Sequence, residues 1–136
     1  MDKIVVLTAD LAEKIGFACL DKAKENSWNV SVAVCDSGGF LLWMKRPHTV
    51  PPISASIAIN KARTSALGRR ASSIYEDQIN NGRNALLSAP EVQGMMTGGL
   101  PLFYENQCIG AVGVSNLKPA EDELIAQAGI DFFSKI

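Results

Sequence analysis

Trp28-Asn29-Val30-Ser31-Val32-Ala33-Val34-Cys35-Asp36-Ser37-Gly38-Gly39-Phe40-Leu41-Leu42-Trp43-Met44-Lys45 is the stretch that decides the fold class. Val30, Val32 and Val34 alternate with Ser31, Ala33 and Cys35, the period of a strand with one bulky and one small face. Asp36 to Gly39 tolerate the positive φ of a tight turn, and Phe40 to Lys45 reads as the returning strand, so residues 28–45 form an antiparallel hairpin. The small face lets a helix backbone approach closely.

A second hairpin opens at Gly98-Gly99-Leu100-Pro101. It pairs Leu100–Glu105 with Cys108–Ser115 across Asn106-Gln107, and Gly110 and Gly113 thin the last strand where another backbone comes near. Helical periodicity fills the rest. Thr8 caps a helix with Leu11, Ile15, Ala18 and Cys19 on its buried stripe, ending near Asn26-Ser27. Pro47, Pro51 and Pro52 forbid ladder pairing and leave an extended loop around His48. A helix from Ile53 to about Arg69 carries two apolar stripes, Ile53-Ile57-Ala58 and Ala55-Ile59-Ala62-Ala66, which predict cover on two sides, while Lys61, Arg63, Arg69 and Arg70 supply charge. Ser73 to Glu76 has the spacing of a capping box for a short helix that stops before Gly82. Residues 82–99 read as an irregular connection. Pro119 opens a final helix with Leu124, Ile125, Ala128, Phe132 and Phe133 inward. The order helix, hairpin, helices, hairpin, helix predicts one α+β domain over residues 1–136, an antiparallel sheet flanked by helices.

Composition narrows the function. Of 136 residues 47% are hydrophobic, and 13 basic against 14 acidic residues leave a net charge of −1, with no excess to attract nucleic acid. The apolar run Ile4–Leu7 soon meets Asp10, too short for a signal peptide or a membrane span, so a cytoplasmic location is expected. Cys19, Cys35 and Cys108 lie far apart in apolar patterns and read as buried thiols. With one His and no CxxC pair, no metal site made of protein ligands alone is expected. Gly98-Gly99 leads into a strand, unlike a phosphate cradle. Glu121, Asp122 and Glu123 are accounted for by the positive end of the last helix. Two stretches suggest a ligand. His48, beside Arg46, offers an imidazole suited to the iron of a haem or the cobalt of a corrinoid, and Arg46, Lys61 or Arg63 suits propionate-type carboxylates; the competing reading is a solvent-exposed loop histidine. Met95-Met96-Thr97 offers thioether and hydroxyl groups to a flat apolar ligand, against plain core packing of the methionines.

Val30–Gly39, Ser56–Thr64, Gly98–Pro101 and Ile109-Gly110-Ala111-Val112-Gly113-Val114-Ser115 together resemble the GlcG/HbpS family of haem-degrading-domain proteins, which includes the C-terminal domain of PduO-type corrinoid adenosyltransferases. The resemblance runs over nearly the whole chain. It implies a profilin-like α+β fold, assembly from dimer to octamer, and haem binding in several members. Two departures stand out: Pro47-His48-Thr49 follows Arg46 where members often carry Met-Asp-Gly, and Asn116 stands where a second glycine is common. The expectation is a homo-oligomeric accessory protein that binds a tetrapyrrole, haem or cobalamin, through Arg46, His48, Lys61, Met96, Thr97, Gly98 and Gly99, with His48 as axial ligand to its metal. No residue set demands catalysis. The family's neighbourhood of glycolate, propanediol and glycerol utilisation genes suggests association with a coenzyme-B12-dependent dehydratase complex. Two alternatives stay open, a module binding a small carboxylate or diol between the sheet and the long helix, and a non-catalytic assembly partner of an enzyme complex.

Overall fold

A computed structural model describes residues 1–90 and 93–136. The Thr8 hydroxyl accepts the Leu11 N–H at 3.2 Å and starts helix α1 (Ala9–Glu25), as the capping signal predicts. Strands β1 (Ser31–Asp36) and β2 (Leu41–Lys45) form the first hairpin, whose turn is closed by the Asp36 carboxylate accepting the N–H groups of Gly38 and Phe40. Helices α2 (Ile53–Gly68) and α3 (Ser72–Asn80) follow, then a single 3₁₀ turn at Asn84–Ser88. The connection read over residues 82–99 includes Glu91 and Val92, which lie outside the described residues. Strands β3 (Gly99–Tyr104) and β4 (Gln107–Ser115) form the second hairpin, and α4 (Pro119–Ser134) ends the chain's regular structure.

All strand pairs are antiparallel, in the order β2-β1-β4-β3. Register sets Val32 opposite Val114 and Val34 opposite Val112, so the valines share one face, while Ala33 meets Gly113 and Cys35 meets Ala111 on the other. The valine face packs with Leu100, Leu102, Ile15 and Ile125 under α1 and α4. The small face packs Ala33, Cys35 and Ala111 against Ala58, Ala62 and Ala66 of α2. A Cβ on Gly113 would lie 2.1 Å from the Ala58 carbonyl oxygen, so only glycine lets α2 sit this close. This is the profilin-like α+β arrangement.

The Gly-Gly-Leu-Pro segment finishes the sheet edge. The Val114 N–H donates to the Gly98 carbonyl at 3.0 Å, so the ladder alternation turns Gly99 and Pro101 away from β4. Gly99 N–H donates outward to the Ser72 hydroxyl at 2.9 Å, and Pro101 has no N–H to offer. The first half of this edge therefore presents no free donor to a foreign strand.

Several expectations need correction. The second turn is Glu105-Asn106, both with positive φ (48° and 65°), and Gln107 begins β4. Helix α3 starts at Ser72 and no capping box forms at Ser73, because the side chain of Glu76 is drawn to Thr97 instead. In α4 the inward residues are Asp122, Ile125, Ala126 and Gly129, whereas Leu124 and Phe132 are exposed; small residues face α1 because the helices cross closely, with the Gly129 Cβ position 2.6 Å from Cys19 Sγ. Ile53 is exposed and Ile57 half-buried, so the first stripe of α2 lacks the expected cover. Cys108, near the start of β4, is half-buried and lines a surface depression with Arg69 and Ser37.

Candidate functional site

Lys61 is the one lysine on the face that α2 turns to the sheet, and its side chain is only 5% exposed. A cation there must be paired. Its ammonium donates to Asp122 Oδ2 and to the Val114 carbonyl, each at 3.0 Å. Asp122 Oδ1 accepts the Leu117 N–H at 3.0 Å, so the carboxylate also fastens the turn between β4 and α4. Burial pushes the Asp122 carboxyl above its ordinary value, against the opposing pull of Lys61 and the Leu117 N–H. Gly98, with φ of 131°, seals this pair: a Cβ there would lie 2.8 Å from Lys61 Nζ and 3.0 Å from Asp122 Cβ.

A second set of bonds holds the 96–99 segment to α3. Glu76 Oε2 accepts both the Thr97 hydroxyl and the Thr97 N–H, and the Ser72 hydroxyl donates to the Met96 carbonyl. Across the sheet end, the hydroxyls of Ser31 and Ser54 share a hydrogen bond of 2.7 Å. Together these elements enclose a recess of about 320 Å³, walled by Ile53, Ile57, Met96, Leu117 and Pro119 and floored by Lys61, Asp122, Thr97 and Ser115. Glu76 and Met96 are shared with a neighbouring depression of about 390 Å³ that includes Leu86, Leu87 and Met95, so Met96, 37% exposed, is the ridge between two hollows.

The structure therefore brings Lys61, Met96 and Thr97 to one recess, with Gly98 and Gly99 packed beside Lys61 at its base. Arg46 and His48 do not line it. Arg46 donates to the Val50 carbonyl at 2.6 Å and folds its own loop, while His48 is exposed on that loop. The loop leaves β2 where Lys45 pairs with Val32, next to Ser31 and Ser115, and so shares the recess's end of the sheet. Arg63 instead lies over the Phe40 ring at the other end. Ordering by residue type passes over Asp122, Glu76 and Ser72. The helix dipole accounts for Glu121, which accepts the Lys118 N–H at 3.2 Å, but Asp122 answers Lys61. The available signal was a lysine within the small-residue stripe of α2, which requires a buried anion.

Among the described residues no group of three or more His, Cys, Asp or Glu could hold a metal ion, and no helix is long and apolar enough to cross a membrane. A family model described as "Haem degrading protein HbpS-like" matches residues 7–131. Protein GlcG of Escherichia coli K12 is 46% identical over 111 residues, 82% of each chain. The structure of Streptomyces reticuli HbpS, solved as a double mutant, superposes with a TM-score of 0.87 at 26% identity, covering 97% of this chain and 90% of that one. A PduOC:haem complex shares the fold, with a TM-score of 0.80 at 24% identity over 93% and 94% of the two chains. With the sheet, the glycine-lined approach of α2 and these likenesses in agreement, the chain belongs to the HbpS-like family.

Proposed function

We propose that this chain is a homo-oligomeric accessory protein that binds a tetrapyrrole, haem before cobalamin, at the sheet end where the recess and the His48 loop lie. The observation that carries this is the apolar wall of Ile53, Ile57, Met96, Leu117 and Pro119 on the same end of the sheet as an exposed imidazole. The donor chemistry fits the group: aliphatic side chains for a flat macrocycle, imidazole and thioether for its metal. A bound haem would supply a redox-active, ligand-binding iron. The chain's own residues would hold it: Ile53 and Ile57 would cover the macrocycle, the His48 imidazole would offer a nitrogen to its iron, and Arg46 would offer positive charge to its carboxylates. The family description names haem, and the PduOC structure of the same fold holds one. Titration with haemin and with cobalamin tests the reading, which expects a shifted visible absorbance band; unchanged spectra at micromolar ligand overturn it. His48→Ala abolishes the bound spectrum if His48 is axial and leaves it if Met96 or Thr97 serves. Light scattering tests the oligomer.

One observation favours a second reading, the hydroxyl-bearing lining of Ser54, Thr97 and Ser115 in a recess near the lower size limit of small-molecule sites. A diol or small hydroxy acid suits those groups. Saturating glycolate, glycerol or propanediol at about a hundred times its dissociation constant would then stabilise the fold by about 2.7 kcal/mol in a thermal-shift experiment.

A further inference from the structure

The Lys61–Asp122 pair ties together three of the segments that border the recess. Lys61 comes from α2, its ammonium holds the end of β4 at Val114, and Asp122 holds the turn into α4 at Leu117. The 96–99 segment is locked against the same pair, since Gly98 has no space for a Cβ beside Lys61 Nζ and its carbonyl accepts the Val114 N–H. Both side chains are almost fully buried, at 5% and 4% exposure. An incoming ligand carboxylate would have to share the ammonium with Asp122, placing two anions at one buried cation. Glu76, on the neighbouring wall, adds a third.

We infer that Lys61 and Asp122 are positioning residues: they fix the shape of the recess from beneath and do not pair with the carboxylates of its ligand. For the ligand itself this rests on the tetrapyrrole reading above. The consequence is that Lys61 matters equally to ligands with and without carboxylates, which a propionate contact would not allow.

The test compares haemin with its dimethyl ester, in which both propionates are masked, on the full chain carrying Lys61→Met and, separately, Lys61→Met with Asp122→Leu. The second variant removes both charges together, so no lone buried anion prevents folding. Affinity is expected to fall about tenfold or more for both ligands alike, because a displaced wall penalises any occupant. A loss confined to free haemin overturns the proposal and makes Lys61 a propionate contact. A ligand-free arm separates this result from failure of the tetrapyrrole reading. The Thr97 N–H is held by Glu76, which neither substitution touches, so its hydrogen exchange in the double variant reports only on the position of the segment. Exchange about tenfold faster at Thr97, with the Val34 and Val112 amides unchanged, is the expected result. Unchanged exchange at Thr97 overturns the proposal whether or not haemin binds.

Discussion

On the side covered by α1 and α4, β1 and β4 present Val32, Val34, Val112 and Val114; on the side covered by α2 the same strands present Ser31, Ala33, Cys35, Ala111, Gly113 and Ser115. The first side buries branched carbon and is the main source of hydrophobic stabilisation. The second buries little per residue, but its thin surface lowers a helix onto the strands until backbone meets backbone. That closeness puts Lys61 within reach of both Val114 and Asp122. One sheet thus separates stability from site construction, a division that substitutions on each face can break.

The largest effect is expected on the branched side. Ile125 is fully buried among Ile15, Leu102 and the valines, and Ile125→Ala should cost about 2–5 kcal/mol, from lost transfer energy and the cavity left behind. Urea unfolding measures it. Ligand response should survive in the folded fraction, because Ile125 does not line the recess. On the thin side the reverse substitution does the damage. Gly113→Ala sets a methyl 2.1 Å from the Ala58 carbonyl, so α2 must lift, at a cost of about 1–3 kcal/mol. Here stability and ligand response should fall together. If Gly113→Ala leaves the ligand response intact, the division between the faces fails.

Both hairpins were legible because their information is local: Val30, Val32 and Val34 alternate with small residues in the first, and in both an apolar run is broken by Asp, Asn or Gly. The close approach of α2 could also be read, from glycine in β4 and alanine in α2. What escaped was non-local. Ser73-x-x-Glu76 has capping spacing, yet Glu76 is engaged by Thr97, 21 residues away, and nothing near Ser73 announces that competition. Asp122 sits in an acidic first turn that the helix dipole already explains, and its partner lies 61 residues earlier. Leu124 and Phe132 looked inward by size, whereas α4 buries Ala126 and Gly129, with Gly129 set against Ile15 and Cys19 of α1 so that the helices can touch. The recess is assembled from α2, α3, the 96–99 segment, the end of β4 and the start of α4, so its residues were visible singly and its shape was not.

The smallest effect compares the faces through their thiols. Cys19 lies on the branched side and Cys35 on the thin side, and burial pushes each thiol from 9.0 up to about 12. Between those values the unfolded chain releases protons that the folded chain retains, so stability is lost as the pH rises above 9.0. At pH 10 the loss is about 1.4 kcal/mol for each thiol. Cys19→Ala and Cys35→Ala should each remove that share of the alkaline destabilisation, measured as the difference in unfolding free energy between pH 8 and pH 10. Their costs at pH 8 should differ in origin: Cys19→Ala opens a space between α1 and α4, while Cys35→Ala enlarges a seam already built of alanine, into which α2 can settle. If both alkaline shares match but only Cys35→Ala alters ligand response, the thin face is the one that sets the geometry of the recess.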